Sequence, residues 1–226
     1  MDEIEALFAI GPFRVTATVV TTWGILLALG LGSALATRHL SVDKPGLVQT
    51  ALEGVVQAIE GAIEAVLPDR AGLLLPFVGT LWLFVAVANL VSLVPGLHSP
   101  TADLSTTAAL AFVVFLSVHA FGIGTDGWRS YLRHYLSPTP ILLPFHLLGE
   151  LSRTLALAVR LFGNMMSLEM AALLVLLVAG LLVPVPVLML HIVEALVQAY
   201  IFGMLALIYI AGGMQSRDES ANSSEA

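Results

Sequence analysis

Leu155-Ala156-Leu157-Ala158-Val159-Arg160-Leu161-Phe162-Gly163-Asn164-Met165-Met166 places one guanidinium inside an apolar stretch that runs nearly unbroken over residues 141–182. A guanidinium stays charged at any accessible pH, and holding one near a bilayer midplane costs at least ~2.5 to 3.5 kcal/mol. Snorkelling relieves that cost near helix ends, but Arg160 is about twenty residues from either end of its stretch. The charge requires a wet path or a charged partner.

The rest of the chain places this stretch in a membrane. Of 226 residues, 58% are hydrophobic and 11% charged, and several windows near 20 residues carry no charge. The expected fold is all-α: one polytopic membrane domain with five transmembrane helices plus one interfacial amphipathic helix. Residues 1–15 form an external N-terminus, in which Asp2, Glu3 and Glu5 oppose a cleavable signal peptide. The first span is 16–40. Residues 46–67 are too charged to span; Glu53, Gln57, Glu60 and Glu64 recur at helical spacing, as in a helix lying in the interface. The second span is 71–94 and the third 104–121, followed by a polar cytoplasmic loop over 122–140 with Asp126, Trp128, Arg129, Arg133 and His134. The fourth and fifth spans are 141–182 and 184–214, and a small polar tail occupies 215–226. The net charge of -7 argues against nucleic acid as a partner, and the absence of Cys excludes disulfides and thiolate-bound metals. The scattered His residues, 39, 98, 119, 134 and 146, show no metal-pair spacing, so no metal or cofactor is expected. Trp23, Trp82 and Trp128 read as membrane anchors.

Arg38, Lys44, Arg70, Arg129, Arg133 and Arg217 all fall on one side if the N-terminus is outside, leaving Arg14 alone opposite them. That asymmetry predicts N-terminus out and C-terminus cytoplasmic. The fourth span, some forty residues, would reach ~60 Å against a hydrocarbon core of ~30 Å, so it must tilt or bend. With Pro184 and Pro186 tightening the turn, the last two spans should form a long tilted antiparallel hairpin. A fold-back centred near Gly180 puts Glu169 level with His191 and Arg160 level with Gln198. His191, Glu194 and Gln198 then share one face of the last helix, and Arg153, Arg160 and Asn164 a face of the fourth. Glu169 is ~13 Å from Arg160 along the axis, which leaves the Arg without an acid at its own depth.

Glu150-Leu-Ser-Arg153, Leu157-Ala-Val-Arg160-Leu-Phe-Gly-Asn164-Met165, Glu169, and then His191 and Gln198 form a spacing that resembles the a subunit of rotary F-type ATP synthases. The likeness extends over about residues 46–214 and includes Asn89-Leu-Val-Ser-Leu-Val-Pro95 and Ser99-Pro-Thr-Ala-Asp103. Ser92 in place of a common acid, Arg153 in place of Lys, Thr154 in place of Pro, and the additional Glu194 mark a divergent bacterial-type member.

The resemblance implies a stator subunit of the inner (plasma) membrane that works with a c-subunit ring, b-type peripheral stalk subunits and the rest of the synthase, with no nucleotide site in this chain. It further implies two offset half-channels that carry protons to and from a c-ring carboxylate. Arg160 would separate them, favouring the ionised carboxylate and repelling a leaking cation. Asn164 and Gln198 would orient the guanidinium or nearby water. Glu169, His191 and Glu194 would line the outer path with Asn89 and Asp103 nearer its mouth, and Glu150, with Ser152 nearby, would serve the inner one. Two alternatives remain open: a sodium-carrying version of the same subunit, and a secondary transporter. The latter should show two related halves, and this chain shows no such repeat.

Overall fold

The computed structural model describes residues 6–10, 13–41, 45–94, 97–127, 143–179 and 184–215. Trp128, Arg129, Arg133 and His134 in the expected loop, Lys44, the turn over 180–183, and the tail with Arg217 lie outside the described residues.

Among the described residues six α-helices organise the chain: α1 (Ala17–Ala36), α2 (Leu47–Glu64), α3 (Ala71–Leu90), α4 (Leu104–Asp126), α5 (Leu143–Ala179) and α6 (Pro184–Gln215). All but α2 are long and apolar enough to cross a membrane, and this is a multi-pass membrane protein. A short strand pair precedes α1 and leaves the all-helical membrane fold unchanged. Strands β1 (Ala6–Ile10) and β2 (Phe13–Thr16) pair antiparallel in the segment read as the external N-terminus. The physical reason is local: β-branched and aromatic residues (Phe8, Ile10, Phe13, Val15) flank a Gly11-Pro12 dipeptide, a combination that favours a hairpin.

Helix ends follow capping chemistry. The Thr16 hydroxyl accepts from Val19 N at the start of α1, and the Asp103 carboxylate accepts from Ser105 N at 2.8 Å to open α4. The α4 helix continues to Asp126, into the stretch read as loop, and stops at Gly127, whose φ of 75° glycine adopts without a Cβ clash. Pro144 falls in the first turn of α5, and Pro184 and Pro186 in the first turn of α6, where missing amide donors cost nothing.

The packed core lies between α3, α4, α5 and α6. Against α6 packs α3, while α4 contacts both α5 and α6. The buried positions recur at helical spacing: Leu74, Val78, Val85 and Ala88 on α3, Val114 and Val118 on α4, Leu157, Leu161, Met165 and Leu168 on α5, and Ala199, Phe202, Ala206 and Ile210 on α6. Gly203 lets α3 approach, since a Cβ there would sit 2.7 Å from the Trp82 ring. The first helix buries only Ile25 and leaves Trp23, Leu27, Leu31 and Leu35 exposed, as suits a helix surrounded by lipid. The amphipathic α2 buries Ile59 and Ile63 against α3 and exposes Leu47, Val48, Leu52, Val55 and Val56. A helix with that pattern lies in the interface.

Candidate ion path

The polar residues of α5 and α6 fall in three groups along the bundle. The first is at the end where the segment over 91–103 joins α3 to α4. There the Glu169 carboxylate accepts from Ser99 N at 2.8 Å and lies 3.8 Å from His98 Nδ1, while His98 itself is exposed. His191, buried, places Nε2 at 2.8 Å from Ser92 Oγ and 3.4 Å from Asn89 O. A carbonyl oxygen only accepts, so this geometry suits a proton on Nε2. Asn89 is fully buried: its Nδ2 donates to Ala195 O and its Oδ1 accepts from Thr101 Oγ1 at 2.7 Å. Ser99 Oγ donates to Ala88 O and lies 2.6 Å from Thr101 Oγ1. This network ties α3, the segment over 91–103, α5 and α6 together.

Glu169 and His191, expected to be level, therefore share this end but make no bond to each other; each is held by the joining segment instead. Asp103 is not part of the network. Its carboxylate caps α4 and accepts from Ser105 N and Ser105 Oγ, a structural use that keeps it turned to its own helix. Glu194 is half-buried and makes no hydrogen bond or ion pair among the described residues.

The middle group contains Arg160, Asn164 and Gln198. Asn164 Nδ2 donates to Gln198 Oε1 at 2.8 Å across the α5–α6 interface. Gln198 is buried, and its Nε2 finds no acceptor among the described residues. Arg160 is exposed although its neighbours Leu157, Ala158 and Leu161 are buried, and among the described residues it has no ion-pair partner. The reason is angular: 157, 161, 165 and 168 form the packed face of α5, and 160 falls outside it.

The third group is toward the other end of α5, ~15 Å from Arg160 by helical rise. Glu150 Oε2 lies 3.3 Å from His119 Nε2 on α4, and His119 Nδ1 lies 2.9 Å from Phe115 O. The Arg153 guanidinium stands 6.0 Å from the centre of the Tyr209 ring. Glu150, Arg153, Thr154 and Tyr209 line a cleft completed by Val114, Phe115, Val118 and Leu157.

Sequence reasoning missed His119, His98, Ser99 and Thr101 as members of these groups. His119 had been set among scattered histidines because its partner is 31 positions away on another helix. Ser99 and Thr101 carried a signal in hindsight: hydroxyls in a short segment between apolar helices, where buried polar groups must find partners. Among the described residues no three His, Cys, Asp or Glu side chains converge as metal ligands.

Residues 18–211 match the family described as ATP synthase A chain. The chain belongs to that family. The ATP synthase A chain family provides the ion-translocating stator subunit, and its members act in complex with other ATP synthase subunits. Among similar proteins, ATP synthase subunit a 2 of Pelobacter propionicus is 68% identical over 216 residues, covering 96% of this chain and 94% of the relative. ATP synthase subunit a 1 of Hahella chejuensis is 63% identical over 211 residues, covering 93% and 89%. ATP synthase subunit a 2 of Bradyrhizobium is 47% identical over 210 residues, covering 93% and 94%. The A-chain fold is thus the frame in which the three polar groups act.

Proposed function

We propose that this A-chain member passes protons through two offset half-channels to and from a carboxylate on a c-subunit ring, with Arg160 as the gate between them. It sits in a bacterial inner membrane with the N-terminus outside and the C-terminus cytoplasmic, held by b-type peripheral stalk subunits. The observation that carries the reading is Arg160 itself, an exposed guanidinium between two polar groups at opposite ends of the bundle. The outer path takes in Glu169, His191, Asn89 and Glu194; the inner path takes in Glu150.

The physics of the gate is electrostatic. A fixed positive charge stabilises an ionised carboxylate passing in front of it, so a proton leaves that carboxylate there, and the same charge repels a cation crossing directly between the paths. The Asn164–Gln198 bond stiffens the hairpin one turn from Arg160, and it leaves the buried Gln198 Nε2 with a donor to spare for an internal water. The driving force is the membrane potential, ~2.3 kcal/mol per charge per 100 mV, plus the ion gradient.

Arg160→Ala tests the gate in the reconstituted complex. ATP-coupled proton transport should fall to background while the c ring and nucleotide-binding subunits still co-purify, because removing a membrane charge lowers the cost of insertion. Coupled transport at the wild-type rate would overturn the assignment.

A further inference from the structure

Glu150 and His119 come from different helices, yet their ring nitrogen and carboxylate oxygen lie 3.3 Å apart beside the cleft of Arg153 and Tyr209. The orientation of the ring is constrained on its other side. Nδ1 faces Phe115 O at 2.9 Å, and a carbonyl can only accept, so Nδ1 carries a proton. Nε2 then faces the carboxylate either as N–H to carboxylate oxygen or as lone pair to carboxyl O–H. In either form the two atoms are placed to pass one proton between them. The contact has ion-pair distance without hydrogen-bond geometry, as is common at sites that tighten only in operation.

We infer that His119 and Glu150 form one proton-exchanging couple and that His119 is a second ion-path residue at the inner end. The inference rests on the proposed two-path reading. Its chemistry is a balanced relay: the Nε2 proton moves to Glu150 Oε2, the carboxyl releases it to water in the cleft, and the neutral imidazole takes a new proton on Nε2 from the aqueous side. The reverse sequence carries a proton outward. Both side chains are partly exposed, His119 at 27% and Glu150 at 21%, while the Oε2 that faces the ring is itself buried.

The other charged or titratable groups near the couple are few among the described residues. Arg153 is three residues along α5 from Glu150 and lies over Tyr209 of α6, and His146, exposed, is one turn before Glu150. Arg153 borders the cleft between the couple and the Arg160 level. Glu150, with Ser152 nearby, was read in the sequence as serving the inner path. His119 was not, because nothing in its own surroundings marks it.

The test is ATP-driven proton uptake by the whole complex in proteoliposomes, normalised to uncoupled ATP hydrolysis, with pH varied separately on the two sides between about 5 and 8. His119→Gln and Glu150→Gln each keep a polar side chain of similar reach and remove one exchanging group. Each should slow uptake roughly tenfold or more, by the usual scale of acid–base assistance. Each should also change the dependence on pH at the nucleotide-binding face and leave the dependence on the opposite face as in wild type. Glu150→Asp should restore part of the rate. Wild-type rates and pH profiles in both Gln variants would overturn the couple, as would an altered profile confined to the opposite face. Arg160→Ala, measured alongside, separates the outcomes: if it abolishes coupling while both Gln variants behave as wild type, the gate stands and the couple falls.

Discussion

Asn89 shows how a single buried amide organises one end of the path. Its two polar atoms bond to Ala195 O on α6 and to Thr101 Oγ1, and its own carbonyl faces His191 Nε2. Replacing it by Leu removes the bonds to Thr101 Oγ1 and Ala195 O and loosens the joining segment, at a cost of roughly 1 to 3 kcal/mol. Asn89→Leu should therefore lower the unfolding midpoint of the detergent-solubilised protein, and an unchanged midpoint would mean that the network contributes little. Arg160 makes the opposite point. Its identity, and its incompatibility with lipid, could be read directly from the sequence because a charge in an apolar run is conspicuous. His119 could not be read in that way. A histidine acquires meaning from what faces it, and Glu150 arrives only when α5 packs against α4.

Helices were legible where apolar length decides them. The five spans and the amphipathic α2 follow from hydropathy and periodicity, since lipid leaves the backbone no alternative to a helix. The β1–β2 hairpin was not legible from the same evidence, because it precedes the first span, where that constraint is lifted. The side-to-side fit of helices was equally hidden. Gly203 reads as one glycine among nineteen, yet it is the contact point of α6 with Trp82, whose ring also packs 5.3 Å from that of Tyr200. Gly203→Val should destabilise the α3–α6 contact by roughly 1 to 3 kcal/mol, and pairing it with Trp82→Leu should recover part of the loss. Gly72→Ala, where a Cβ meets nothing within 4 Å, is the matched control and should be neutral or slightly stabilising. Chemical denaturation of the four proteins measures the coupling; strictly additive losses would remove the contact from the account.

For the whole molecule the identity of the coupling ion is the open quantity, and it is read from transport. With protons, ATP-driven transport should respond to pH and ignore sodium, and Glu194→Gln should slow it and shift its pH dependence. A rate that saturates with sodium at fixed pH and barely responds to pH would overturn the proton reading and leave the proposed role of Arg160 intact, since a fixed positive charge expels either cation. The length of α5 sets the mechanical side. Its 37 residues amount to ~55 Å of helix against ~30 Å of hydrocarbon, so it must lie steeply oblique. Any upright helix that passes it crosses at a large angle and touches it over about one turn, without the long interdigitated seam of near-parallel helices. Gly149, Ala156 and Gly163, seven residues apart, run beside Arg153 and Arg160, and a Cβ at either glycine would meet nothing within 4 Å. Close approach without interlock is the property of a low-friction bearing: a succession of identical helices could slide past one charged point, each held there only while its own charge is opposite.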